Sequence, residues 1–88
     1  MAWKIEYDNR ALKDIKKLDR SVQNEIYAYI DERIVRASEP RQYGKPLVGN
    51  KRGLWRYRMR DYRIICQIQE QKLVVLVVAV GHRSAAYD

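Results

Sequence analysis

The chain predicts an α+β domain of order β-α-α-β-β-β, an N-terminal helical hairpin packed on one face of a mainly antiparallel four-stranded sheet. Three observations predict it. A short alternating run opens the chain, two stretches with helical apolar spacing follow at once, and three strand-like runs come after a Pro/Gly-rich loop. Eighty-eight residues support a single domain, 1–88. That length lies just above the roughly 70–80 residues below which a core usually needs disulfides or metal.

WKIEY at 3–7 places Trp3, Ile5 and Tyr7 on one side and Lys4 and Glu6 on the other, the pattern of a half-buried strand. Asp8 or Asn9 offers an N-cap, and Ala11, Leu12, Ile15 and Leu18 then recur at helical spacing. Asp19 is a second cap. Val22, Ile26, Tyr29, Ile30 and Ile34 form the stripe of a longer helix ending near Ala37. With almost no linker between them, the two helices form an antiparallel hairpin. Residues 38–53 hold both prolines and three of the four glycines, and so read as a loop. GLWRYRMR then leads through a turn at Arg60-Asp61 into YRIICQIQ. QEQK leads into LVVLVVAV, whose apolar residues on both faces predict a central strand. Gly81 is expected to break that run and deliver the C-terminal residues toward the sheet.

Composition narrows the function. One cysteine, Cys66, excludes an intrachain disulfide, and no Cys/His cluster has metal-ligand spacing. The N-terminus lacks the apolar stretch of a signal peptide, and 73–80 is far too short to span a membrane. A cytoplasmic protein with no cofactor, no metal and no membrane partner is expected. The net charge of +7 is uneven: residues 51–88 hold eight Lys/Arg against three Asp/Glu. Such an excess favours a polyanion or an acidic protein partner.

The excess concentrates in one stretch. In 53–68, Trp55, Tyr57 and Met59 share one face of a strand, and Arg56 and Arg58 share the other. In the next strand Tyr62, Ile64, Cys66 and Ile68 are the apolar set, which leaves Arg63 to join Arg56 and Arg58 on the open face. The tail GHRSAAYD adds His82, Arg83 and Tyr87. Arginine's planar fork binds phosphate bidentately, and tyrosine stacks on a nucleobase. The combination suits single-stranded RNA better than a duplex. Lys51 and Arg52, in the preceding loop, are expected to touch RNA backbone. Arg60, at the turn, reads as solvated, and Cys66 reads as an inert core thiol.

The elements G-L-W-R-Y-R, D-Y-R-I-I and V-G-H-R-x-x-x-Y, with ALKDIKKLD near the start, resemble the RelE family of toxins from bacterial toxin–antitoxin modules. The likeness covers nearly the whole chain. It implies a ribosome-dependent endoribonuclease that enters the ribosomal A site, beside 16S rRNA, and cuts the mRNA codon there. It also implies an acidic RelB-like antitoxin that neutralises the toxin and joins it in repressing their operator DNA. By position, the family's catalytic basic residues fall on Arg56, Arg58, Arg63 and Arg83, and its tyrosine on Tyr87. Family members often carry lysine on the first of these strands, whereas this chain has arginine, a poor proton acceptor with a pKa above about 12. The general base therefore stays open between Tyr87 and His82. A gyrase-inhibiting toxin of the ParE type and a non-catalytic RNA- or protein-binding module are the alternatives.

Overall fold

The computed structural model describes residues 3–84. Strand β1 (Lys4–Tyr7) is followed by helix α1 (Asn9–Lys16) and helix α2 (Arg20–Ile30), which continues as a π-helical turn over Asp31–Val35. Strands β2 (Lys45–Pro46), β3 (Leu54–Met59), β4 (Tyr62–Gln69) and β5 (Val74–His82) complete one sheet of order β1-β5-β4-β3-β2.

The expected α+β order and the interior position of β5 are present. Two features are additions. The loop at 38–53 contains the two-residue strand β2, antiparallel to β3, and β1 pairs parallel to β5. A parallel neighbour requires a crossover connection, and α1 and α2 begin it here. Asp8 caps α1 by accepting the Asn9 N–H at 2.9 Å.

β1 accompanies β5 only as far as the Tyr7–Val77 pair, and the Asp8 N–H closes the ladder on the Val77 carbonyl. Beyond that point β5 would present an unpaired edge. Asp14 of α1 covers it, accepting the Val80 N–H at 3.0 Å. The helix thus satisfies a donor that the departing strand leaves behind, which a buried amide requires.

One layer of core lies between the helices and the sheet. Ala11, Ile15, Ile26, Ile30 and Ile34 from the helical side meet Tyr57, Met59, Ile64, Cys66, Val75, Val77 and Val80 from the sheet. The alternation expected for β3 and β4 is present, with Tyr57 and Met59 buried beneath the helices and Arg58 exposed opposite. A register shift between Ile65 and Cys66 makes β4 oppose Ala79 and then Val77, so Val78 is the extra residue of a bulge.

Burial pushes the Cys66 thiol and the Tyr57 phenol above their ordinary values, and raises Tyr7 to about 12. Native protein therefore holds protons that the unfolded chain releases, starting near the free-thiol value of about 8.5. The sign follows from linkage: where the native state binds more protons, stability falls as pH rises. Stability is expected to be full below about pH 8 and lower by about 3–4 kcal/mol near pH 10.5, from Cys66 and Tyr57 together. Urea midpoints at the two pH values measure it, and equal midpoints would refute it.

Candidate functional site: a basic sheet face

The face of the sheet away from the helices forms a grid. One cross-strand row runs Arg58–Arg63–Gly81 and the next runs Lys45–Arg56–Ile65–Ala79. Neighbouring strands lie about 4.8 Å apart, so Arg58 and Arg63 are directly opposed like charges. Such pairs are normally destabilising. Gly81, at the end of their row, adds no side chain.

Ile65 is only 1% exposed, yet it lies outside the cluster beneath the helices. Arg56 faces it across the ladder and Arg63 precedes it by two residues on the same face. The Nε atoms of both arginines are buried without a hydrogen-bond partner. The aliphatic stems therefore roof Ile65, and each guanidinium retains an unsatisfied donor. A buried unsatisfied donor costs roughly 1–3 kcal/mol, which is a standing demand for an acceptor.

Arg58 and Arg56 also line a cleft of about 150 Å³ with Tyr43 and Lys45. The segment carrying these two is fixed from below. Tyr57, fully buried, donates its hydroxyl to the Pro40 carbonyl at 2.6 Å. Arg41 pairs with Glu39 at 2.7 Å and with Glu70, and lies over the Trp55 ring at 5.7 Å. The bond to Arg41 holds the Glu39 carboxyl below its ordinary range.

The structure brings Arg56, Arg58 and Arg63 together on the open face, as the strand alternation predicts. Arg83 stands at the same end of the sheet. Its N–H donates to the Asp61 carbonyl at 2.6 Å, and its Nε lies 3.8 Å from the Asp61 carboxylate. Lys51 and Arg52 belong to a 3-10 turn and its end, four or more residues before Arg56 along the chain. Arg60 adopts a left-handed conformation (φ 55°) and pairs with Glu25 of α2 at 2.8 Å, on the helix side of the sheet. Tyr87 lies outside the described residues.

Two expectations need correction. Gly81 does not break the third run, because β5 continues through it to His82. Alternation therefore carries His82 to the helix side, opposite Tyr62, where the two rings meet edge to face at 5.4 Å. The His82 Nδ1 lies 2.7 Å from the Ser84 hydroxyl and 3.1 Å from the Ser84 N–H, which holds the ring toward the C-terminal turn. His82 is thus separated from the guanidinium row by the sheet itself.

Sequence reasoning missed Tyr43 and Lys45. The available signal was the alternate spacing in Tyr43-Gly44-Lys45, with Pro46 tolerable only on an edge strand. Among the described residues, no three His, Cys, Asp or Glu side chains cluster at metal-binding range. No helix among them is long and apolar enough to cross a membrane.

Comparison with known proteins places this geometry in a family. The sequence profile described as "ParE toxin of type II toxin-antitoxin system, parDE" matches residues 5–87. The chain is 31% identical over 85 residues to the mRNA interferase toxin RelE of Escherichia coli strain K12, covering 94% of this chain and 85% of that protein. A mutant of the E. coli toxin RelE in the free state superposes with a TM-score of 0.77 at 30% identity, covering 98% of this chain and 88% of that one. A chain of the toxin–antitoxin complex RelBE2 from Mycobacterium tuberculosis superposes with a TM-score of 0.87, covering 96% of this chain and 94% of that one. At 24% identity this second likeness is one of fold. A matched profile over nearly the full length, the curated E. coli relative and the shared sheet together decide the assignment: the chain belongs to the RelE/ParE family of toxins from type II toxin–antitoxin modules.

Proposed function

We propose that this toxin is a ribosome-dependent endoribonuclease that cuts mRNA in the A site by attack of a 2′-hydroxyl on the adjacent phosphorus. The observation that carries the reading is the Arg58–Arg63 pair with Arg56 beside it, two of these three side chains holding a buried Nε without an acceptor. Like charges held together on an open face have no folding rationale, but they suit an anion that gains charge during reaction. The name of the E. coli relative, an mRNA interferase, supports the same chemistry.

In-line attack forms the 2′-O–P bond as the P–O5′ bond opposite it breaks, with extra charge on the non-bridging oxygens. The products are a 2′,3′-cyclic phosphate and a 5′-hydroxyl that takes its proton from water. Positioning and charge stabilisation supply most of the acceleration in phosphoryl chemistry. Arg63 and Arg83 take the non-bridging oxygens, which requires Arg83 to leave Asp61. Arg56 and Arg58 hold the neighbouring phosphate and the developing charge. Tyr87, four residues beyond Arg83, is assigned the 2′ proton, since surrounding guanidinium charge stabilises a phenolate. His82, on the other face, is the weaker choice. The reaction needs no metal. Lys51 and Arg52 are assigned to RNA backbone along the strand's approach. The cytoplasm is the setting, 16S rRNA in the A site is the platform, and an acidic antitoxin is the partner that neutralises the basic face and carries the pair to operator DNA.

The profile's description favours a second reading, a toxin that blocks DNA gyrase without cutting nucleic acid. One experiment separates the two. Purified protein is added to ribosomes programmed with a defined A-site codon, and in parallel to a supercoiling assay. Cuts within the codon that require ribosomes are expected, and they should fall by orders of magnitude in Arg83→Ala or Tyr87→Ala. Intact mRNA with blocked supercoiling would transfer the assignment to the second reading.

A further inference from the structure

β2 forms only two ladder pairs, Lys45 with Arg56 and Pro46 with Trp55. Tyr43 precedes β2 in a turn that the Gly44 N–H closes on the Arg41 carbonyl at 3.0 Å, and it lines the cleft together with Arg58. Tyr43 is 45% exposed, one of three large apolar side chains that reach solvent among the described residues. It is also held. The Arg33 guanidinium from the π-helical turn sits 5.0 Å from its ring centroid. An aromatic ring fixed by a cation and opening onto a cleft whose other walls are Lys45, Arg56 and Arg58 has no role in the core.

We infer that Tyr43 is a stacking platform for one nucleobase of single-stranded RNA, whose phosphate rests on Lys45, Arg56 and Arg58. The inference rests on the nuclease reading for its substrate and adds a base-reading position to it. Three cations alone would hold any phosphate. The exposed phenol ring gains a use only if a planar base lies against it. The cleft's 150 Å³ is about the share of five liquid waters, the scale of a single heterocycle. A duplex keeps its bases stacked on one another and cannot offer one. Because Arg33 already restricts the ring, stacking gives up little side-chain freedom. Purines, with the larger face, are favoured over pyrimidines.

The test uses the intact protein and an uncleavable six-nucleotide oligoadenylate bearing 2′-O-methyl groups, with affinity read by fluorescence anisotropy. Tyr43→Ala is expected to weaken binding about tenfold, the usual effect of losing one base–aromatic stack. Tyr43→Phe keeps the ring and stays within about twofold. Against an abasic strand of the same length, wild type and Tyr43→Ala bind alike, and the salt slope is the same for both because no charge is removed. Circular dichroism melts verify that the exposed substitution leaves the fold intact. Unchanged affinity in Tyr43→Ala, an equal loss on the abasic strand, or no binding of the oligoadenylate by wild type would each overturn the inference. Cleavage on programmed ribosomes is scored separately. Ring-dependent binding without cleavage sinks the nuclease reading alone, and cleavage with ring-independent binding sinks only the platform.

Discussion

Arg63→Met is expected to lower mRNA cleavage by about 10²–10³-fold while raising the melting temperature by a few degrees. The first half follows from the role proposed for Arg63, a charged donor to the phosphoryl oxygens. The second follows from the grid. Arg63 directly opposes Arg58, and its Nε is buried without a partner. Methionine keeps an unbranched apolar stem over Ile65 and removes both liabilities. Relief of a cross-strand like-charge pair amounts to roughly 0.2–1 kcal/mol, and for a domain of this size 1 kcal/mol moves the midpoint by about 4–8 °C. Arg63→Lys separates the two effects. It retains the charge and the repulsion but gives up the planar fork, so it should lose activity without gaining stability. A calorimetric scan and the programmed-ribosome assay decide the matter. A melting temperature that falls in Arg63→Met would mean that the pair is not a source of strain, and wild-type cleavage would remove Arg63 from the chemistry.

The open face was legible because β3 alternates and β4 departs from alternation only at Ile65, which is buried on the open side. Tyr57, Met59, Ile64 and Cys66 left no ambiguity about the inner side, so the positions of Arg56, Arg58 and Arg63 followed. The third run was less informative for the same physical reason reversed. With Val74, Val75, Val77 and Val80 all buried, apolar residues on both faces conceal the bulge at Val78 and the parity beyond it. His82 was therefore expected among the arginines when continuation of the strand through Gly81 sends it to the other side. The parallel pairing of β1 with β5 depends on where the helical crossover returns the chain, which no local pattern records. β2 was hidden for a different reason. Two residues have no period to detect, and a proline in one of them argues against a strand unless the edge position is already known. Lys45 belongs to the site through that pairing, and Tyr43 through the turn that leads into it.

Gly44 carries the second large effect, because it joins the fold to the cleft. A methyl group at this position would lie 2.8–2.9 Å from two atoms of the Tyr57 ring, closer than carbon atoms pack. That ring cannot yield easily: it is fully buried, and its hydroxyl is anchored on the Pro40 carbonyl. Gly44→Ala must therefore lift the segment between Tyr43 and Lys45 away from β3, and overpacking of this kind typically costs about 1–3 kcal/mol. The same displacement separates Tyr43 and Lys45 from Arg56 and Arg58, so oligoadenylate affinity should fall at least as far as in Tyr43→Ala. Tyr57→Leu creates its own cavity and loses the bond to Pro40, so it too destabilises, by about 2–4 kcal/mol. The informative quantity is the pair. With leucine beneath it, the added methyl occupies space that the ring has vacated, and Gly44→Ala should then cost almost nothing. A double-mutant cycle on urea midpoints is expected to give a coupling of about 1–2 kcal/mol in the favourable sense. Additive losses would show that Gly44 is needed for a reason other than the Tyr57 ring, and the link from that core tyrosine to the basic cleft would fail with it.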